Sequence, residues 1–165
     1  ENIINAIETL DSVEYILAGS GMQEYIEKLK TLKGWRRVRY LGRIPHEEVR
    51  DVYGESRTGM TLLSNTTQVG DEGTLGNTKI FEYMEAGIPV ICSNNKLWKD
   101  IVNKHKCGIC VDPSNVNEIK DSIKYLLSNV ELAEEMGNNG LKAVIHEYNW
   151  GNQEEVLVNC YIHLF

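Results

Sequence analysis

No run of 18 apolar residues occurs anywhere in this chain of 165 residues, so no segment reads as a membrane-spanning helix, and no secretory signal is visible. A Ser-His-Asp set, a nucleophile elbow and a metal-ligand cluster are also missing, which removes the common hydrolase and metalloenzyme readings. Basic residues are in the minority: a net charge of −7 argues against a broad nucleic-acid-binding face but says little about one small phosphate site. Cysteine is sparse, at Cys92, Cys107, Cys110 and Cys160. The spelling Cys-x-x-Cys over Cys107–Cys110 runs into an expected strand rather than opening a helix, so the low-pKa thiol of a redox motif is not expected there. His46, His105, His146 and His163 lie at no zinc spacing from it, which leaves ordinary cysteines in a reducing compartment. The expected location is the cytoplasm.

The length suits one compact domain able to bury a continuous core. Ile3, Ile4, Ile7 and Leu10 carry helical spacing, so the chain is expected to begin inside a helix. Strands are expected near Glu14 to Ala18, Val38 to Leu41, Thr58 to Leu63, Pro89 to Ser93 and Cys107 to Val111. Helices fall between them, around 22 to 33, 46 to 54, 77 to 86 and 97 to 104. This alternation marks right-handed βαβ units and a parallel sheet whose strands are apolar on both faces. Val116, Ile119, Ile123, Leu126 and Leu127 predict a further helix capped by Ser114 or Asn115. Another carries Leu132, Met136, Leu141, Val144 and Ile145, with an interruption expected near Gly137 and Gly140. A last helix, from about Gly151 to Phe165, presents Val156, Leu157, Cys160, Tyr161 and Leu164.

The densest information lies at residues 71–91. Asp71-Glu72-Gly73-Thr74-Leu75-Gly76 is polar and glycine-rich, a helix follows, and Ala86-Gly87-Ile88-Pro89 ends it before a buried strand. Free N–H groups and the dipole at such a helix start favour an anion. Lys79 offers it a point charge, and Glu82 stands one turn further in, about 4 to 5 Å along the axis at ~1.5 Å per residue. A carboxylate is a poor phosphate partner but a good acceptor for paired sugar hydroxyls. Phosphate beside a diol-binding carboxylate suggests a nucleotide.

The run Lys79-Ile80-Phe81-Glu82-Tyr83-Met84-Glu85-Ala86-Gly87-Ile88-Pro89-Val90-Ile91 resembles the donor-binding segment of retaining glycosyltransferases of the GT-B fold, the "glycosyl transferases group 1" family. Ile16-Leu17-Ala18-Gly19-Ser20-Gly21 is similar to that family's strand and Gly-x-Gly turn. Val38-Arg39-Tyr40-Leu41-Gly42-Arg43-Ile44-Pro45 is similar to its strand ending in Leu-Gly-x-hydrophobic-Pro. Gly108-Ile109-Cys110-Val111-Asp112-Pro113 and Tyr148-Asn149-Trp150 fall at its late strand and last helix. The resemblance implies a Rossmann-like α/β donor domain over residues 1–165, one half of a GT-B enzyme, without the first strand and without the N-terminal acceptor domain. The terminal helix would cross back to that domain, and in its absence an apolar face is expected to lie bare.

By the same resemblance, backbone around Gly42, Arg43 and Ile44 holds the nucleobase and Glu82 takes the ribose hydroxyls. The amides of Gly76, Asn77 and Thr78, with Lys79, meet the diphosphate, and Gly19 and Gly21 contact the ligand. Each has a plain alternative: Gly19 and Gly21 as a helix-entry turn, Arg43 as a solvated arginine, Lys79 as a first-turn surface lysine, Glu82 as the partner of an arginine elsewhere. A lysine at a helix N-terminus is unfavourable unless an anion answers it.

The family pattern carries a second glutamate eight positions before the first, and here that position is Thr74. Asp71, Glu72 or Thr74 are the candidates for holding the donor sugar, with Glu72 and Thr74 the expected catalytic positions. The expected ligand is a UDP- or GDP-linked sugar, with no cofactor and no metal. Expected partners are a glycan or lipid-linked acceptor and the missing half, through which the enzyme would sit peripherally at the inner membrane in polysaccharide assembly of bacterial type. Nucleotide-sugar epimerases share the fold but need histidine, aspartate and glutamate bases in the loops, and no such cluster appears. A non-catalytic doubly wound module binding a partner or small anion is the remaining alternative.

Overall fold

In a computed structural model, residues 1–63 and 72–162 are described, and five short strands alternate with helices along them. The order is α1 (Asn2–Ile7), β1 (Tyr15–Ala18), α2 (Gln23–Lys30), a 3₁₀ turn (Lys33–Arg37), β2 (Val38–Gly42), α3 (His46–Glu55), β3 (Gly59–Thr61) and α4 (Lys79–Glu85). It continues with β4 (Val90–Ser93), α5 (Lys96–His105), β5 (Gly108–Val111), α6 (Val116–Ser128), α7 (Val130–His146) and α8 (Trp150–Ile162). Asp71, His163, Leu164, Phe165 and the side chain of Val156, all named above, lie outside the described residues.

Every strand pairing is parallel. β1 lies on β2 with Tyr15 opposite Val38 and Leu17 opposite Tyr40, and the register slips between Leu17 and Ala18 so that Ala18 meets Gly42. β3, β4 and β5 form a second ladder, in which Met60 faces Ile91 and Ile91 faces Ile109. The single sheet expected from sequence is thus two ladders, and a cleft of about 520 Å³ bordered by both β1 and β3 separates them. Burial follows that division. β4, with a neighbour on each side, is buried at all four residues, whereas β1 and β2 are at most half-buried.

Alternation along β4 sends side chains to two cores. Val90 and Cys92 join Ile80 and Met84 of α4, Trp98, Ile101 and Val102 of α5, and Ala143 of α7. Ile91, with Val111 of β5, points the other way onto Ala6 and Ile7 of α1 and Ile119, Ile123 and Leu126 of α6. Helices therefore cover both faces, as a run of consecutive apolar strand residues requires. Leu10, expected inside the first helix, is buried just beyond its end.

The interruption expected in α7 is absent: 17 residues run as one helix through Gly137 and Gly140, both buried. Each glycine costs a helix about 1 kcal/mol of propensity, and packing reverses the balance. A Cβ on Gly137 would stand 2.0 Å from the carbonyl oxygen of Gly87, and one on Gly140 would crowd Met84 at 3.1–3.3 Å. The glycines let α7 lie against α4 and the turn that ends it. Asn115, rather than Ser114, caps α6, accepting from the Asn117 and Glu118 amides, while Ser114 closes a turn onto Asp112. On α8, Trp150, Leu157, Val158, Tyr161 and Ile162 are exposed.

Candidate functional site

α4 places the expected carboxylate. Seven residues long, it begins in the loop after β3, at the carboxyl end of the strands where open parallel sheets bind ligands. Its apolar positions Ile80 and Met84 are fully buried, which turns Glu82 to the side and leaves it partly exposed. The Glu82 carboxylate is surrounded by donors. Thr78 Oγ1 donates to Oε1 at 2.8 Å, while Lys79 Nζ and the Tyr53 hydroxyl donate to Oε2, each at 2.7 Å. No arginine pairs with it among the described residues. The unfavourable lysine at the helix start is answered from within, by Glu82 one turn on.

Burial by itself would raise the Glu82 pKa, but the hydrogen bonds from Lys79, Tyr53 and Thr78 together outweigh it and hold the carboxyl below its usual 4.5. A carboxyl whose folded pKa is depressed stabilises the fold fully above the unfolded value, and that stabilisation is lost as pH falls through the folded one. Glu82→Gln should accordingly flatten the acid limb of stability below about pH 4.5 while lowering stability at neutral pH, read as urea midpoints at a series of pH values. An unchanged acid limb would show the carboxylate to be solvated instead. Tyr53, facing that carboxylate, is pushed well above an ordinary phenol, first by burial and then by Glu82, so it stays a donor.

The first two strand ends meet each other. The Gly19 amide donates to the Gly42 carbonyl at 2.7 Å, and the Tyr40 hydroxyl donates to the Gly19 carbonyl at 2.9 Å. Gly19 (φ +142°) and Gly42 (φ +64°) both adopt conformations that favour glycine, with open space where a Cβ would point. Gly21 has neither property, since a Cβ there would make an ordinary 3.9 Å contact with Ile26. Arg43 is exposed and Ile44 half-buried. Gly19, Arg43, Ile44 and Lys79 all line the cleft between the ladders, together with Tyr53 and Tyr83. Gly21, Gly42, Glu82 and residues 72–78 do not line it, although Glu82 is tied to it through Tyr53 and Lys79.

The loop before α4 is strapped to α5. The Leu97 amide donates to the Glu72 carbonyl at 2.9 Å, and the ring nitrogen of fully buried Trp98 donates to the Thr74 carbonyl at 3.1 Å. The Glu72 side chain is exposed and 3.4 Å from Lys96. Thr74 Oγ1 accepts from the Gly76 amide, and Asn77 Oδ1 accepts from the Lys79 amide. Asn77 and Thr78 amides have no such bond among the described residues. Sequence reasoning missed Tyr53 and Trp98. Tyr53 lies 29 residues from Glu82 on a different helix, and Trp98 reads from sequence as a core residue.

Helices on both faces of parallel ladders, with glycine turns at two strand ends, make a Rossmann-like α/β domain. Comparison with solved structures agrees. The chain superposes on a sucrose-phosphate synthase from Thermosynechococcus elongatus with a TM-score of 0.82 at 23% identity, covering 99% of this chain and 41% of that one. It superposes on Anabaena Alr3699/HepE, solved in complex with UDP, with a TM-score of 0.80 at 15% identity, covering 98% and 44%. Among curated proteins, the O-antigen chain mannosyltransferase B of Escherichia coli is 30% identical over 131 residues, which is 79% of this chain and 31% of that protein. The profile of the "Glycosyl transferases group 1" family matches residues 1–143. The chain belongs to that family, as a C-terminal-type domain, and spans less than half the length of these relatives. Among the described residues, no helix is long and apolar enough to cross a membrane.

Proposed function

We propose that this chain is the donor-binding half of a retaining glycosyltransferase that moves a sugar from a nucleotide-sugar to a glycan or lipid-linked acceptor. The observation that carries the reading is the Glu82 carboxylate, held by three donors at the start of the helix after β3, two of which, Tyr53 and Lys79, line the same cleft as Gly19. Glu82 takes the ribose hydroxyls, main chain around Gly42, Arg43 and Ile44 takes the base, and Lys79 with the Gly76, Asn77 and Thr78 amides meets the diphosphate. Glu72 and Thr74 stand at the donor sugar. UDP in the Anabaena structure supports a nucleoside diphosphate as ligand class.

In the reaction, the bond from the anomeric carbon to the diphosphate oxygen breaks and a bond to the acceptor oxygen forms on the same face. The leaving diphosphate takes the acceptor proton. The protein contributes position and charge rather than a paired acid and base, and the reaction uses no metal or cofactor. Lys79 releases Glu82 and turns to the diphosphate, which leaves the carboxylate to the Thr78, Tyr53 and ribose hydroxyls.

The cleft between β1 and β3 takes a further parallel strand from a longer protein. A strand leading into α1 and on to β1 by a right-handed crossover would lie beside β1, where the cleft stands. The acceptor domain would cover the exposed face of α8, in an enzyme of the cytoplasm lying against the inner membrane and serving polysaccharide assembly.

Calorimetric titration of the folded chain with UDP, GDP, ADP and CMP tests the reading. One nucleoside diphosphate is expected to bind, at up to about millimolar Kd (roughly −4 kcal/mol), and to name the base. Indifference to all four, repeated in a chain extended upstream by its own strand, would overturn it.

A further inference from the structure

Glu82 is held unevenly. Thr78 and Lys79 lie on its own helix, one turn back, and move with it, whereas Tyr53 comes from α3. Tyr53 is itself braced, through its ring, on Tyr83 of α4, and Tyr83 is in turn held to the sheet. The Tyr53 ring meets Tyr83 edge-on at 5.3 Å and 75°, the Tyr83 hydroxyl donates to the Met60 carbonyl at 3.3 Å, and the Tyr83 ring occupies the space that a side chain on Gly59 would fill. The other end of α3 follows directly on Gly42, Arg43 and Ile44. One rigid helix therefore joins the loop at the end of β2 to one oxygen of the carboxylate.

A carboxylate offers about four acceptor positions, and three are taken here: one on Oε1 by Thr78 and two on Oε2 by Tyr53 and Lys79. A vicinal diol needs one on each oxygen. Oε1 has one to spare, and Oε2 gains one when Lys79, whose side chain is 53% exposed, swings away. Tyr53 is held by its ring on Tyr83 and keeps its bond to Oε2 as the lysine leaves.

Resting on the donor-domain reading, we propose that Tyr53 is the positioning residue that aims Glu82 at the two ribose hydroxyls and so makes the site select ribonucleotides over 2′-deoxyribonucleotides. Without the tyrosine hydroxyl, Glu82 is free to rotate about its own helix and to meet a single hydroxyl as readily as a pair.

The test titrates the parent chain and Tyr53→Phe with UDP and with 2′-deoxy-UDP, or with the corresponding pair if another base binds. Phenylalanine keeps the ring on Tyr83. The ratio of the two affinities within one preparation is independent of the folded fraction, so partial unfolding leaves the readout intact. The parent is expected to prefer UDP by on the order of tenfold, the worth of one hydrogen bond to a charged group. The variant should lose most of that preference through weaker UDP binding, with 2′-deoxy-UDP little changed. Equal loss for both ligands, or an unchanged ratio, would assign Tyr53 to packing and overturn the proposal while leaving the donor reading intact. A parent that binds no ribonucleoside diphosphate removes the donor reading, and this proposal with it.

Discussion

Glu82→Ala is expected to abolish nucleoside diphosphate binding, weakening it by about 10²- to 10⁴-fold. Two ribose hydroxyls donating to a carboxylate are worth roughly 1.5–3 kcal/mol each, and every 1.4 kcal/mol is about a factor of ten. Alanine removes both acceptors together. It also releases Lys79, Thr78 and Tyr53, whose hydrogen bonds converge on that one group. Lys79 and Thr78 are exposed and re-solvate, so the fold should survive and the loss should appear in affinity. Calorimetry at neutral pH, with the far-ultraviolet spectrum of the same sample, separates the two effects. Binding within threefold of the parent by a folded variant would show that Glu82 serves only to brace the start of α4.

The largest loss of stability is expected from a substitution that helix propensity favours. Gly137→Ala gains about 1 kcal/mol in an ordinary helix, yet here the new methyl would stand 2.0 Å from the Gly87 carbonyl oxygen and 3.3 Å from the Ile88 Cα. Those atoms are backbone, so α7 itself must move away. Overpacking of this kind costs typically 1–3 kcal/mol and more when the main chain is displaced. The expected outcome is a Tm lower by several degrees, at about 2–4 °C per kcal/mol for a chain of this size. Gly54→Ala in α3 is the control. Nothing lies within 4 Å of its Cβ position, so propensity alone acts and Tm should hold or rise. If the two variants behave alike, the contact between α7 and α4 is looser than described. The same contact bears on the site, because Gly87 and Ile88 end the helix that carries Glu82.

Much of this was legible in order along the chain. The run Val90–Ser93 reads as a strand covered on both faces, and all four residues are buried, Val90 and Cys92 feeding one core and Ile91 the other. The spacing of Ile80 and Met84 reads as a helix whose buried side is fixed, and that spacing alone turns Glu82 out of the core. The sequence pattern starts this helix at 77, two residues before the structure does. Thr78 is helical in backbone but spends its hydroxyl on Glu82 instead of capping, a choice that depends on where the carboxylate stands. The parallel order and right-handed crossovers follow from alternation, whereas the family likeness rests on particular residues, those of 79–91 above all, and the family profile matches residues 1–143.

Local pattern determines local structure because propensity, capping and apolar period act over a few residues: here the five strands, the helices between them, the parallel topology and the position of Glu82 on its helix. Tertiary structure decided what depends on residues far apart meeting. It made α7 continuous through two glycines, because Met84 of α4 and the Gly87 turn that ends that helix press on them. It divided the strands into two ladders around a cleft. It also brought Tyr53 to Glu82 across 29 residues, and gave Lys79 the anion that a helix start demands. Such contacts exist only once packing has set the distance between elements, and no periodicity in the chain encodes that distance.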